Sequence, residues 1–159
     1  MYLLYSLGLF IHIVGITITS GGSIGGYLLE RQIWKHIPES PLKSKSLTCL
    51  LSKYSMIIHT GTLLMIISGI MMLAALGWVA VGQQWFVIKM VFVIGLFLSG
   101  FFIAGPNSMR LNKLIIRQMN AEEVSIELNK VKRNMILFRI SEALMVLTIY
   151  LLAIFRNNI

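Results

Sequence analysis

Four uninterrupted apolar stretches, Tyr2 to Leu29, Tyr54 to Leu76, Trp85 to Ala104 and Met135 to Phe155, constrain this chain more than any other feature. Each is about 20 residues or longer, the length a helix needs to cross ~30 Å of hydrocarbon. A backbone in lipid must satisfy its own hydrogen bonds, so spans of this kind are helices. Nothing is left over for a soluble domain, and the chain reads as one all-α transmembrane domain, an up-down-up-down four-helix bundle. Of its 159 residues 57% are hydrophobic and only 13% are charged, with a mean hydropathy of +0.80. That balance belongs to an integral membrane protein. The first stretch has no basic n-region and no small-residue cleavage site, so it reads as a retained helix and not a removed signal peptide.

The net charge of +8 points to a nucleic-acid partner only until its placement is considered. Glu30 to Lys53 holds Arg31, Lys35, Lys43, Lys45 and Lys53, with Pro38 and Pro41 set to break any helix there. Gly105 to Asn134 holds Arg110, Lys113, Arg117, Lys130, Lys132 and Arg133. Gly77 to Gln84 and the N-terminal end hold none, and the C-terminal end only Arg156. The positive-inside rule then puts both basic connections in the cytoplasm and both termini outside, in a multi-pass inner-membrane topology. This excludes nucleic acid as the reason for the charge and leaves the bilayer, with an affinity for anionic headgroups, as the partner. In the second connection Asn120-Ala-Glu-Glu reads as a helix start, with Asn120 as N-cap and Glu123 completing a capping box. The fourth helix is therefore expected from about Ala121, and the third past Pro106 toward Met119, giving a short helical hairpin beyond the membrane.

In the first stretch Gly8, His12, Gly15, Thr19, Gly22 and Gly26 alternate at spacings of four and three, which puts them on one helix face. A face of glycines admits either another helix or a flat molecule close to the backbone. Gly21–Gly25 and Gly22–Gly26 are small-xxx-small pairs that favour helix packing. His12, an ionisable group at that depth, is a candidate for function. Further costly groups lie in the other spans: His59 near Ser55, Thr62 and Gly69, Tyr54 at the inner boundary, Trp85 and Lys89 one turn apart, and Arg139 with Glu142 three residues on. Each has a plain role as anchor, snorkelling cation or neutralised pair. Their number in so small a bundle favours an interior site.

At ~1.5 Å of rise per residue, His12 lies about 13 Å below the outer surface and His59 about 9 Å above the inner one. Two imidazoles at such depths could hold a haem iron from opposite faces, with the glycine face making room for the ring and Arg139 meeting a propionate. Neutral imidazole ligates iron more readily than Lys89, which must first lose a proton, so His59 is the expected second ligand and Lys89 its rival. Copper is the other metal such histidines serve, but the ten methionines show no repeated ligand spacing and read as core filling.

These residues resemble the HemJ-type membrane proteins and the wider CopD-like group of four-helix membrane proteins. The resemblance is carried by His12 in Ile11-His12-Ile13, Tyr54 and Gly69 in the second helix, Trp85 and Lys89 in Trp85-Phe86-Val87-Ile88-Lys89, and Arg139 and Glu142 in Arg139-Ile140-Ser141-Glu142. It implies a b-type haem with His12 as iron ligand, and protoporphyrinogen oxidation as the activity. The chain departs from the pattern at Thr19-Ser20-Gly21-Gly22, at Val87 where the family has a third-helix histidine, at Ser141 where it has Asn, and in adding His59. A divergent member that keeps the cofactor but changes its use fits these departures.

The expected function is a membrane haem b protein with a redox role, most concretely a protoporphyrinogen oxidase that passes electrons to a quinone or other membrane acceptor. Lys89, Arg139 and Glu142 would handle charge or protons, and His12, His59, Gly15, Gly22, Tyr54 and Trp85 would form the cofactor site. A non-enzymatic electron carrier or gas-binding module, a copper-handling protein and a structural subunit are the alternatives, and a homo-oligomer stays open. Cys49, the sole cysteine, and His36 lack the spaced partners of a metal site and read as ordinary connection residues.

Overall fold

The computed structural model describes residues 1–37 and 40–154. Pro38, Phe155 and Arg156, which carry a helix break and the end of the fourth span in the sequence reading, lie outside them. The described chain is all-α, with four helical rods long and apolar enough to cross a membrane: Tyr2–His36, Leu42–Ala75, Gln84–Met119 and Ser125–Ile154. It is a multi-pass membrane protein. Side chains such as Leu3, Phe10, Ile24, Met56 and Leu63 are exposed, as expected where hydrocarbon, not water, is the solvent.

Its contacts divide it into two compact units, Met1–Ala80 and Val81–Ile159. The first is a helix pair, α1 (Tyr2–His36) and α2 (Pro41–Ala75). Both helices run past the apolar stretches, so most of the segment expected as a loop between Glu30 and Lys53 is helical. The reason is Pro41. With Ser40 at the N-cap it occupies the first turn, where its missing N–H is no loss and its fixed φ suits a helix start. Proline begins α2 instead of breaking it. At the other end the N–H of Trp78 bonds the Leu73 carbonyl and that of Gly77 the Ala74 carbonyl. This is a Schellman closure with Gly77 at φ +65°, a conformation glycine adopts without strain.

The second unit opens with a short 3-10 turn, Val79–Gly82, shared across the boundary. α3 (Gln84–Ser99) then runs through a π turn, Gly100–Ala104, into α4 (Gly105–Met119). The rod thus continues past Pro106 to Met119, as the sequence implies. Pro106 has no N–H and would crowd the carbonyl one turn back; the wider π turn absorbs this, with the Gly105 N–H bonding the Gly100 carbonyl. Asn107, buried beside it, donates its side-chain amide to the Ile103 carbonyl at 2.7 Å.

The fourth helix, α5 (Ser125–Ile154), begins later than expected. Asn120 is not an N-cap but the C-cap of α4. The N–H of Ala121 bonds the Gln118 carbonyl and that of Glu122 the Arg117 carbonyl, a second Schellman closure, with Ala121 at φ +61°. Glu123 therefore completes no capping box. Leu111, Leu114 and Ile115 of α4 and Val124, Leu128, Val131 and Met135 are buried in this unit, and α4 packs on α5. Arg117 clasps the tip, bonding Glu122 at 2.7 Å and Glu127 at 3.1 Å.

Candidate functional site

His12 stands in the seam between α1 and α2. Its Nδ1 lies 3.1 Å from the Met65 carbonyl oxygen and 2.9 Å from Ser68 Oγ. A carbonyl only accepts, so the ring carries its proton on Nδ1 and donates it to α2. Ser68 is fully buried and gives its own hydroxyl proton to the Leu64 carbonyl at 2.7 Å, which leaves an oxygen lone pair for the imidazole. In the neutral ring the lone pair is then on Nε2. The ring edge lies over Gly69, whose added Cβ would be 4.0 Å from His12 Cε1.

The glycine face is what sets this distance between the helices. An added Cβ at Gly8 would stand 3.0 Å from Met72 Cγ, at Gly15 2.8 Å from Met65 Cγ and 2.9 Å from the Gly61 carbonyl oxygen, and at Gly22 2.8 Å from Ile58 Cγ1. At Gly25 it would fall on the Tyr54 ring, and at Gly61 on Thr19 Oγ1. The pairs run antiparallel, with rising numbers on α1 facing falling numbers on α2. The face left open in sequence between a helix and a flat molecule is taken by α2, and a macrocycle has no room in this closed seam. Tyr54 belongs to the same seam through Gly25.

The structure does not bring the two histidines together. His59 is exposed on α2, its Nε2 3.4 Å from Ser55 Oγ one turn earlier. Met65 and Ser68, which hold His12, lie six and nine residues further on, about 9 and 14 Å along the helix. His36 is on α1, bonded through Nδ1 to the Gln32 carbonyl at 2.8 Å, and Cys49 is exposed on α2; both are on helices, not in a loop.

In the second unit Trp85 donates its indole N–H to Gln83 Oε1 at 2.5 Å and meets Phe86 edge-on. Lys89 is half-buried one turn further into α3. Arg139 and Glu142 form an ion pair at 2.9 Å, with 21% and 18% of the side chains exposed. The Arg139 guanidinium also lies 5.6 Å from the centre of the Phe138 ring. Gly95 of α3 faces Met145 of α5. Counting along both helices, Glu142 and Arg139 come level with Leu98 and Phe101, at the edge of the π turn.

Sequence reasoning missed Ser68 and the Met65 carbonyl as partners of His12. Gly61 and Ser68, seven residues apart on α2, carried the signal, since both must lie on the face turned to α1. It also missed Glu30, which is buried toward the C-terminal end of α1, and Asn107 at the π turn. Among the described residues no three His, Cys, Asp or Glu gather where they could hold a metal ion. No family model matches the chain, and no curated protein or solved structure matches it either.

Proposed function

We propose that the chain is a membrane b-type haem protein with a redox role, in which His12 is an iron ligand through Nε2. The supporting observation is the pair of bonds from Nδ1 to the Met65 carbonyl and Ser68. Metal-ligating histidines are held in this way, the second nitrogen fixed by a carbonyl or hydroxyl so that the ring has one tautomer and one direction. The donor fits the group; the glycine seam does not, because α2 fills it. The haem would therefore lie outside the α1–α2 seam. When bound, it would supply one-electron redox chemistry. The resemblance to HemJ-type proteins makes protoporphyrinogen the first substrate to assay and a quinone the first acceptor, with Lys89, Arg139 and Glu142 holding or moving charge. The charge distribution supports an inner-membrane topology with both termini outside.

The test is the absorption spectrum of the purified protein and its His12→Ala variant. A Soret band with sharp reduced α and β bands, lost in the variant, is the expected result. Haem in both, or in neither, would overturn the assignment.

A second reading is favoured by one observation: the bonds from His12 Nδ1 end on the neighbouring helix of its own pair. In that reading His12 is a polar clamp and the protein a structural subunit without cofactor, so that the spectrum is silent while His12→Ala still loosens the pair. Metal analysis of the same sample answers for copper.

A further inference from the structure

The α4–α5 hairpin sorts its charges by height. Glu122, Glu123 and Glu127 are at the tip, and Glu122 and Glu127 neutralise Arg117 there. The other cations, Arg110 and Lys113 on α4 with Lys130, Lys132 and Arg133 on α5, are all exposed. The Arg117–Glu127 bond fixes the antiparallel register, and from it Lys113 comes level with Val131 and Arg110 with Asn134. The five cations thus make one belt at the base of the hairpin, while the apolar residues between the helices are turned inward.

The belt's height is set by the spans it grows from. On that register Arg110 and Lys113 come level with α5 positions about 2 and 6 Å before Met135, the start of the fourth apolar stretch. Before Met135, where the fourth begins, Arg133, Lys132 and Lys130 are about 3 to 8 Å away. The headgroup layer is ~5–8 Å thick on each side of the hydrocarbon, and lysine and arginine stems extend the reach of their charges toward it. The charges are thus level with lipid phosphates on whichever side of the membrane the hairpin lies.

We propose that this belt binds the phosphate headgroups of anionic phospholipids and gathers acidic lipid around the base of the hairpin. A belt of exposed cations complements a layer of phosphates, and the acidic tip is held away from that layer. Nothing in this depends on haem or on His12.

The experiment uses the full chain in vesicles containing trace spin-labelled phosphatidylglycerol or spin-labelled phosphatidylcholine. The motionally restricted fraction of each is read by electron paramagnetic resonance. The wild type should restrict the phosphatidylglycerol probe at least about twofold more strongly, and high salt should reduce that preference. R110Q/K113Q/K130Q/K132Q/R133Q should abolish it, and R110K/K113R/K130R/K132R/R133K should keep it. If the fully neutralised variant does not fold, K113Q/K130Q should show a partial loss. No preference in the wild type, a preference indifferent to salt, or one that survives neutralisation would overturn the proposal.

Discussion

At Gly15 an added methyl group would strike Met65 and the Gly61 carbonyl, while at Gly21 it would meet nothing within 4 Å. The two glycines are six residues apart on one helix. Gly15→Ala should destabilise the α1–α2 pair by about 1–3 kcal/mol, the range for overpacking. Gly21→Ala should stabilise it by up to about 1 kcal/mol, the helix-propensity difference. Thermal unfolding in detergent, followed by circular dichroism, checks both, and equal effects would mean that the seam is not tight. The spacing of Gly8, Gly15 and Gly22 showed the face but not what covers it, because spacing is internal to one helix. The Arg139–Glu142 pair is a second residue-scale case. Its charges sit half-buried in a span, where replacing one residue takes this ion pair from the other. Arg139→Leu or Glu142→Leu alone should cost about 3 kcal/mol, and the double replacement much less than their sum. Additive losses in the same unfolding assay would show that the two do not act as a pair.

The helix ends divide into those a short string of residues determines and those it does not. Asn120-Ala-Glu-Glu meets every local requirement of a helix start, yet the chain there is finishing one. What decides is longer-range. Leu111, Leu114 and Ile115 give α4 a face to bury as far as its last turn, and Arg117 draws Glu122 and Glu127 to the tip. The chain then reverses through Ala121 at φ +61°, where a Cβ is strained and glycine is usual. Ala121→Gly should therefore stabilise the hairpin by about 1 kcal/mol. Slower hydrogen exchange of amides from Arg117 to Leu128, with the spans unchanged, is the measurement; faster exchange there would show that the left-handed turn is not strained. Pro106 repeats the lesson. A proline inside an apolar helix signals a disturbance, and here the rod does not stop but widens into a π turn and continues.

On the scale of the molecule, the four spans were legible because lipid leaves a chain few choices: about 20 apolar residues in a row must be a helix. The rule is silent outside the hydrocarbon, which is why α1 and α2 continue past the stretches that announced them. Nor does it say whether costly groups within the spans share one site, since depth along a helix fixes height but not direction; His12 and His59 are the instance. The remaining property of the whole chain is its orientation, and the structure supplies a native probe for it. Cys49 is the sole cysteine, is exposed on α2, and lies five residues before Tyr54 on the side of the first basic connection. Gly82 is exposed in the connection without basic residues, and an added side chain there meets nothing within 4 Å. The basic-residue imbalance puts Cys49 in the cytoplasm and Gly82 outside. A membrane-impermeant maleimide applied to intact cells should therefore leave Cys49 unlabelled until the membrane is permeabilised. In a Cys49→Ser background, Gly82→Cys should be labelled at once. The opposite pattern would invert the topology, and labelling of both sites in intact cells would mean that α2 does not cross the membrane.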